Sequence, residues 1–215
     1  MTSFDVQVGR SLSIADVVQV ARHGARVTLA EEARPRIDSS RAYVDALVAA
    51  DRTVYGITTG FGRLASVRIA AGDVRQLQRN LLMSHAMGVG VPLSTEVVRG
   101  MLLLRAQSLS FGCSGIRISV IALLIECLNR GVHPVIPSQG SVGASGDLAP
   151  LAHMALPLIG EGKAEVGGDV LPGRDALARV GLTPIVLEAK EGLALINGTQ
   201  AMTAIGALVL HDAQR

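Results

Sequence analysis

Ala144, Ser145 and Gly146 are three consecutive small residues in a stretch, Gly140 to Pro150, that reads GSVGASGDLAP. Three glycines within seven residues allow the backbone to fold tightly there. A phosphate cradle needs GK[ST] ahead of its helix, or GxGxxG between a strand and a helix, and neither is present. A nucleophile elbow, GxSxG, fails because Ser145 adjoins Gly146 with no residue between them. A different chemistry fits. In a sharply bent chain the Gly146 amide nitrogen can attack the Ala144 carbonyl carbon, and only glycine leaves that nitrogen unhindered. Loss of the ring water and of the Ser145 hydroxyl then leaves an exocyclic methylidene on an imidazolone. That is an electrophile no standard side chain supplies. Asp147, at the start of the following helix, places the positive end of a helix dipole behind it.

Three further residues stand out, each with a structural reading. Tyr55, in YGITTGFG, reads as a buried structural phenol. His85, in SHAMGVG, reads as a helix-end histidine favoured by the dipole. Asn197, in INGTQ, reads as a cap of the last helix. His23, His133, His153 and His211 are scattered, with His153 expected to be a satisfied core histidine. No HExxH or paired-cysteine spacing occurs, so no metal is expected.

The elements positioning these residues are mainly helical. Phe4, Val6 and Val8 alternate as a short strand, and Val27 to Leu29 reads as another. Ser13 is placed to cap a helix over 14–23, and helical periodicity recurs over 36–50. Residues 55–62 read as a loop, and 73–87 as a helix closed by Gly88, Gly90 and Pro92. Ser94 is placed to cap a helix running to about Phe111, followed by one over 117–129 and a loop over 137–146. Asp147 is placed to cap the next helix, with Pro150 in its first turn. A hairpin spans 166–171 around Gly167-Gly168, a short helix 175–180, and the last helical segments 188–197 and 199–215.

Composition excludes several classes. Of 215 residues, 49% are apolar and 18% charged, enough to bury a core and too apolar for disorder. The balance of 20 basic and 18 acidic residues gives no basic field for nucleic acid. The longest apolar runs, 118–125 and 202–210, fall short of the ~18 residues of a membrane span. No leader pattern opens the chain, and Cys113 and Cys127 read as ordinary buried thiols, so the expected compartment is the cytoplasm. The last apolar segment, AMTAIGALVLH, runs to residue 215 without a stop signal, as if the helix were cut there.

Taken together, GSVGASGDLAPLAHM, YGITTGFG, NLLMSHAMGVG and EGLALINGTQA resemble the aromatic amino acid ammonia-lyase family, and within it the histidine-directed members. The resemblance runs from about Phe4 to the last residue. It implies a mainly helical, bundle-type lyase fold and a 4-methylidene-imidazol-5-one made from Ala144, Ser145 and Gly146, without metal. It implies elimination of ammonia from L-histidine to give urocanate, with a tyrosine or phenylalanine lyase or aminomutase as the alternative. A silent helical assembly module is the alternative of another class. Tyr55 matches the family tyrosine that takes the β-proton, while Thr58 stands where many relatives have Asn. His85 matches the histidine of histidine-directed members, and Asn197 the family asparagine that contacts substrate near the cofactor. The resemblance further implies that residues 1–215 are an N-terminal portion with its cofactor-forming loop at 140–147. The C-terminal helical half, with a tyrosine, an arginine and a glutamate of the site, is expected to be absent, leaving the portion alone with little turnover. The family assembles as homotetramers.

Overall fold

The computed structural model describes residues 5–62, 67–142 and 146–214. Buried Val6 and Val8 flank exposed Gln7 in β1 (Val6–Val8), which pairs in parallel with β2 (Val27–Leu29), Val6 opposite Val27. Phe4 lies outside the described residues. Between the strands runs α1 (Ile14–His23). Ser13 Oγ accepts the Asp16 N–H at 3.2 Å and the Asp16 carboxylate accepts the Ser13 N–H at 2.8 Å, a reciprocal cap that fixes the helix start. α2 (Arg34–Ala49) begins two residues before the expected 36, because Pro35 is tolerated in a first turn.

The chain continues through α3 (Val74–His85), β3 (Val89–Pro92), α4 (Thr95–Ser110), α5 (Ile118–Asn129), β4 (His133–Pro134), β5 (Pro137–Gln139) and α6 (Leu148–Ala155). It ends in β6 (Lys163–Val166), β7 (Asp169–Pro172), α7 (Gly173–Arg179), α8 (Glu191–Ile196) and α9 (Gln200–Ala213). The strands β3, β4 and β5 were not expected. They are short, lack strong alternation and form only on pairing: β3 with β5, and β4 with the β6–β7 hairpin, all antiparallel. The hairpin itself follows the sequence, with Gly167 and Gly168 both at positive φ (62° and 89°).

Two expected caps change. Ser94 and Asp147 occupy the N-cap positions of α4 and α6, yet neither bonds its own helix through its side chain. The segment expected as one helix over 188–197 is shortened to α8, because Lys190 adopts a left-handed conformation, φ 71°. Cys113 is exposed and only Cys127 buried, correcting the expectation for the pair.

α4 is the central element, packed on α1, α5 and α9. Met101, Leu102, Leu103, Ala106 and Leu109 are fully buried around nearly its whole circumference, so the helix shows no clear apolar face. A Cβ at Gly100 would lie 3.1 Å from that of Ala204, so the missing side chain lets α9 approach α4 closely. Residues 191–213 have the length and apolarity of a membrane span, with a mean hydropathy of 1.6 over their most apolar 18 residues, but they form two helices turned at 197–199 and packed into this bundle. A smaller cluster, Val44, Leu47, Ile57, Val74 and Ala189, ties the end of α2 and the start of α3 to the loop carrying Tyr55.

Candidate active site

The Tyr55 loop is held by its own threonines. Thr58 Oγ1 donates to the Arg52 carbonyl at 2.6 Å and accepts the Val54 N–H at 2.9 Å, and Thr59 Oγ1 accepts the Gly56 N–H at 3.2 Å. Both threonines are buried, and Ile57 between them and Tyr55 enters the smaller core. Tyr55 is thereby turned outward, 60% exposed, with its ring meeting Phe61 edge-on at 6.0 Å. The structure thus corrects the buried reading of this tyrosine: the loop is buried and the phenol is not.

Ala144 and Ser145, with Gly143, lie outside the described residues; Gly146 is half-buried. Their flanks fit the bend that backbone condensation requires. The Val142 N–H donates to the Gly146 carbonyl at 3.1 Å, pinching the chain on either side of the intervening three residues. Asp147, 1% exposed, accepts the Ser141 hydroxyl at 2.6 Å and the Met202 N–H at 3.0 Å. It therefore caps α9, not its own helix, and so fastens the loop to the last helix of the chain. A backbone amide near the start of α9 is a ready donor for this carboxylate.

His85 ends α3, half-buried, with Nδ1 2.8 Å from the Leu81 carbonyl and 3.2 Å from Ser84 Oγ. A carbonyl only accepts, so Nδ1 carries a hydrogen in this bond, and in the neutral tautomer that leaves Nε2 as the acceptor. Three residues on, the Gly88 N–H donates to His153 Nε2 at 3.0 Å. Burial holds the His153 imidazole below its ordinary pKa, in the neutral form this bond requires. A Cβ at Gly88 would sit 3.2 Å from both the Gln139 carbonyl and the His153 ring, and one at Gly140 would sit 3.2 Å from Gly88 Cα. The turn after His85 and the base of the 140–146 loop are thus in direct contact, as the sequence had not indicated.

Asn197 follows α8 with its side chain exposed and without a hydrogen-bond partner among the described residues, so it does not cap α9 as its structural reading expected. Its carbonyl accepts Arg105 Nη1 at 3.1 Å. At the other end of α8, Glu191 is fully buried and accepts Arg117 Nε and Nη2 at 2.8 and 2.6 Å, and the Arg117 and Glu188 amides at 3.0 and 2.7 Å. α8 also touches the other two site segments. The Gly192 N–H donates to Gln78 of α3 at 2.9 Å, and a Cβ at Gly56 would lie 3.0 Å from the Leu193 side chain.

Contacts therefore link the segments carrying Tyr55, His85, Gly146 and Asn197 into one neighbourhood. Sequence reasoning missed Arg105, and it named Asp147 and His153 without the contacts by which they join these segments. Spacing gives no signal for those contacts, since each reaches another element. Among the described residues no group of three or more His, Cys, Asp or Glu is placed to hold a metal ion.

Fold and loop cluster together define a mainly helical lyase scaffold. The chain belongs to the aromatic amino acid lyase family, whose model matches residues 12–215. It is 62% identical to a histidine ammonia-lyase of Symbiobacterium thermophilum over 97% of this chain and 41% of that protein. It is 60% identical to that of Gloeobacter violaceus, over 100% and 42% respectively. The crystal structure of histidine ammonia-lyase from Trypanosoma cruzi superposes with a TM-score of 0.88 at 40% identity, covering 95% of this chain and 40% of that one. The chain thus spans about two-fifths of the length of these relatives.

Proposed function

We propose that this chain forms part of an ammonia-lyase converting L-histidine to urocanate, with the prosthetic group built from Ala144, Ser145 and Gly146. The observation that carries the reading is the pinched backbone at Val142 and Gly146, set ahead of α6 and fastened by Asp147. The group, once formed, supplies an electrophile for the amine side of the substrate. The chain's own residues do the rest. His85 Nε2 accepts the N–H of a substrate imidazole, which a phenyl ring cannot offer. Asn197 offers an unpartnered amide to the substrate, and Tyr55 as phenolate removes the β-proton. A phenol 60% exposed does this only when covered, since a dry surround is what protects the electrophile from water.

We read the cover as further copies of the protein, in a cytoplasmic homotetramer. Met87, Val89, Val91 and Val142, each more than 60% exposed, form an apolar margin beside the loop, and two free thiols suit a reducing compartment. The test is a chimera in which this chain replaces the matching part of the Symbiobacterium enzyme. It is expected to release ammonia from histidine, with urocanate read by its ultraviolet absorption. Turnover of tyrosine or phenylalanine instead would reassign the substrate, and none at all would leave an assembly module. His85→Phe is expected to shift preference from histidine toward phenylalanine; an unchanged preference removes His85 from substrate choice.

A further inference from the structure

Arg105 is a cation in the middle of the core helix α4, 3% exposed. Among the described residues no carboxylate lies within ion-pair distance of it, and its Nε has no hydrogen-bond partner. Such a group is expensive, since a buried, unpaired charge carries a desolvation cost that a leucine or methionine there would not. What it does have is three oxygens from the α8–α9 turn. Nη1 donates to the Asn197 carbonyl at 3.1 Å and to Gln200 Oε1 at 2.8 Å, and Nη2 donates to the Ala194 carbonyl. Ala194 and Asn197 stand at the C-terminal end of α8, where the helix dipole is negative and receives a cation well. The space is fitted to the fork, since a Cβ at Gly198 would lie 2.3 Å from Nη1 and 2.2 Å from Gln200 Oε1. Burial lowers the guanidinium to about 10, so it stays charged at neutral pH.

We propose that Arg105 is a positioning residue of the active site, which locks the carbonyl side of Asn197 from beneath so that its free side-chain amide is presented to substrate in one orientation. A planar fork reaches these acceptors from two nitrogens held in fixed relation, which a single ammonium nitrogen on a flexible stem does not. The proposal rests on the reading of Asn197 as a substrate contact, and two measurements separate the two. In this chain, amide hydrogen exchange is followed over 194–203. Arg105→Met is expected to speed exchange there while α5 and the β6–β7 hairpin keep their protection. Arg105→Lys, which keeps the stem and charge, is expected to speed it less, and it serves where the methionine variant fails to fold. Unchanged exchange at 194–203 overturns the proposal whether or not any ammonia is released. In the chimera, Arg105→Met is expected to lower kcat/KM by about 10- to 100-fold, the scale of a misplaced contact, and by less than about twofold when Asn197 is already alanine, because the two then act as one unit. Equal losses in both backgrounds would mean that Arg105 supports the fold alone, and would overturn it.

Discussion

Asn197 and Tyr55 stand in the same neighbourhood but are held in opposite ways. Asn197 and the helix α8 that leads to it are gripped from other elements through bonds that span 74 to 114 positions: Arg105 at Asn197, and Arg117 and Gln78 at the start of α8. The turn carrying Tyr55 is knotted by its own threonines, through bonds that span one to six positions. The first arrangement needs the whole bundle to be folded and yields a rigid contact. The second can form locally and leaves the functional group in solvent. Under the function proposed above, the difference is a division of labour, in which the buried side fixes where the substrate sits and the exposed side waits for a cover before it acts.

The sharpest way to break this comparison is at the loop between the two sides. Ser145→Ala is expected to abolish ammonia elimination in the chimera and to lack the mass deficit of two waters that intact-mass measurement is expected to show in the parent. Retained turnover would show that the electrophile is not made there. Next in size, Glu191→Ala strips a fully buried carboxylate of four bonds. Losing one member of a buried pair costs about 3–5 kcal/mol, and Arg117, being 31% exposed, places this at the lower end, about 3 kcal/mol. Urea unfolding measures it. A loss below about 1 kcal/mol would show that the buried side is not held as described.

These two modes of holding also explain what was legible in the residues. Helices announced themselves where the signal was local: Ser13 with Asp16 for α1, Gly167-Gly168 for the hairpin. The loop chemistry proposed for residues 144–146 could be put forward from the sequence for the same reason, since its reactants would be neighbours in the chain; Ala144 and Ser145 themselves lie outside the described residues. Asp147 shows the limit. It has the residue type and place of an N-cap, and the structure spends it on Met202, 55 positions on. Strands β3 and β5 exist only because distant segments pair. Arg105 reads, in LLLRAQSLS, as an ordinary polar residue of an amphipathic helix, and nothing nearby tells that α4 is buried all round. Long-range polar contacts have no period, so pattern reading passes over them.

On the exposed side the expected effects are smaller. Thr58→Val keeps the shape but leaves the Val54 amide and Arg52 carbonyl without this partner. One buried polar group left unpaired costs about 1–3 kcal/mol. Because the knot is local, exchange is expected to speed over 52–59 without a change at 194–203; a change at both would dissolve the contrast between the two turns.

A last effect tests the buried side by titration. His133 of β4 lies with Nε2 3.3 Å from Arg99 Nη1, while Arg99 also donates to the Val20 and Leu128 carbonyls. Burial, and secondarily the neighbouring guanidinium, push the imidazole down from 6.5 to about 4. Between these values the unfolded chain binds a proton that the folded one refuses. Unfolding therefore takes up protons, and stability falls as pH drops from about 6.5 to about 4, then levels off with respect to this group. Above 6.5 both states carry neutral imidazole and the contribution vanishes. Unfolding free energies at a series of pH values are expected to slope less in His133→Gln than in the parent across that window. Parallel slopes would mean that Arg99 and His133 are not packed together, and that part of the bundle around α4 would have to be placed with the looser, solvent-facing half of the molecule.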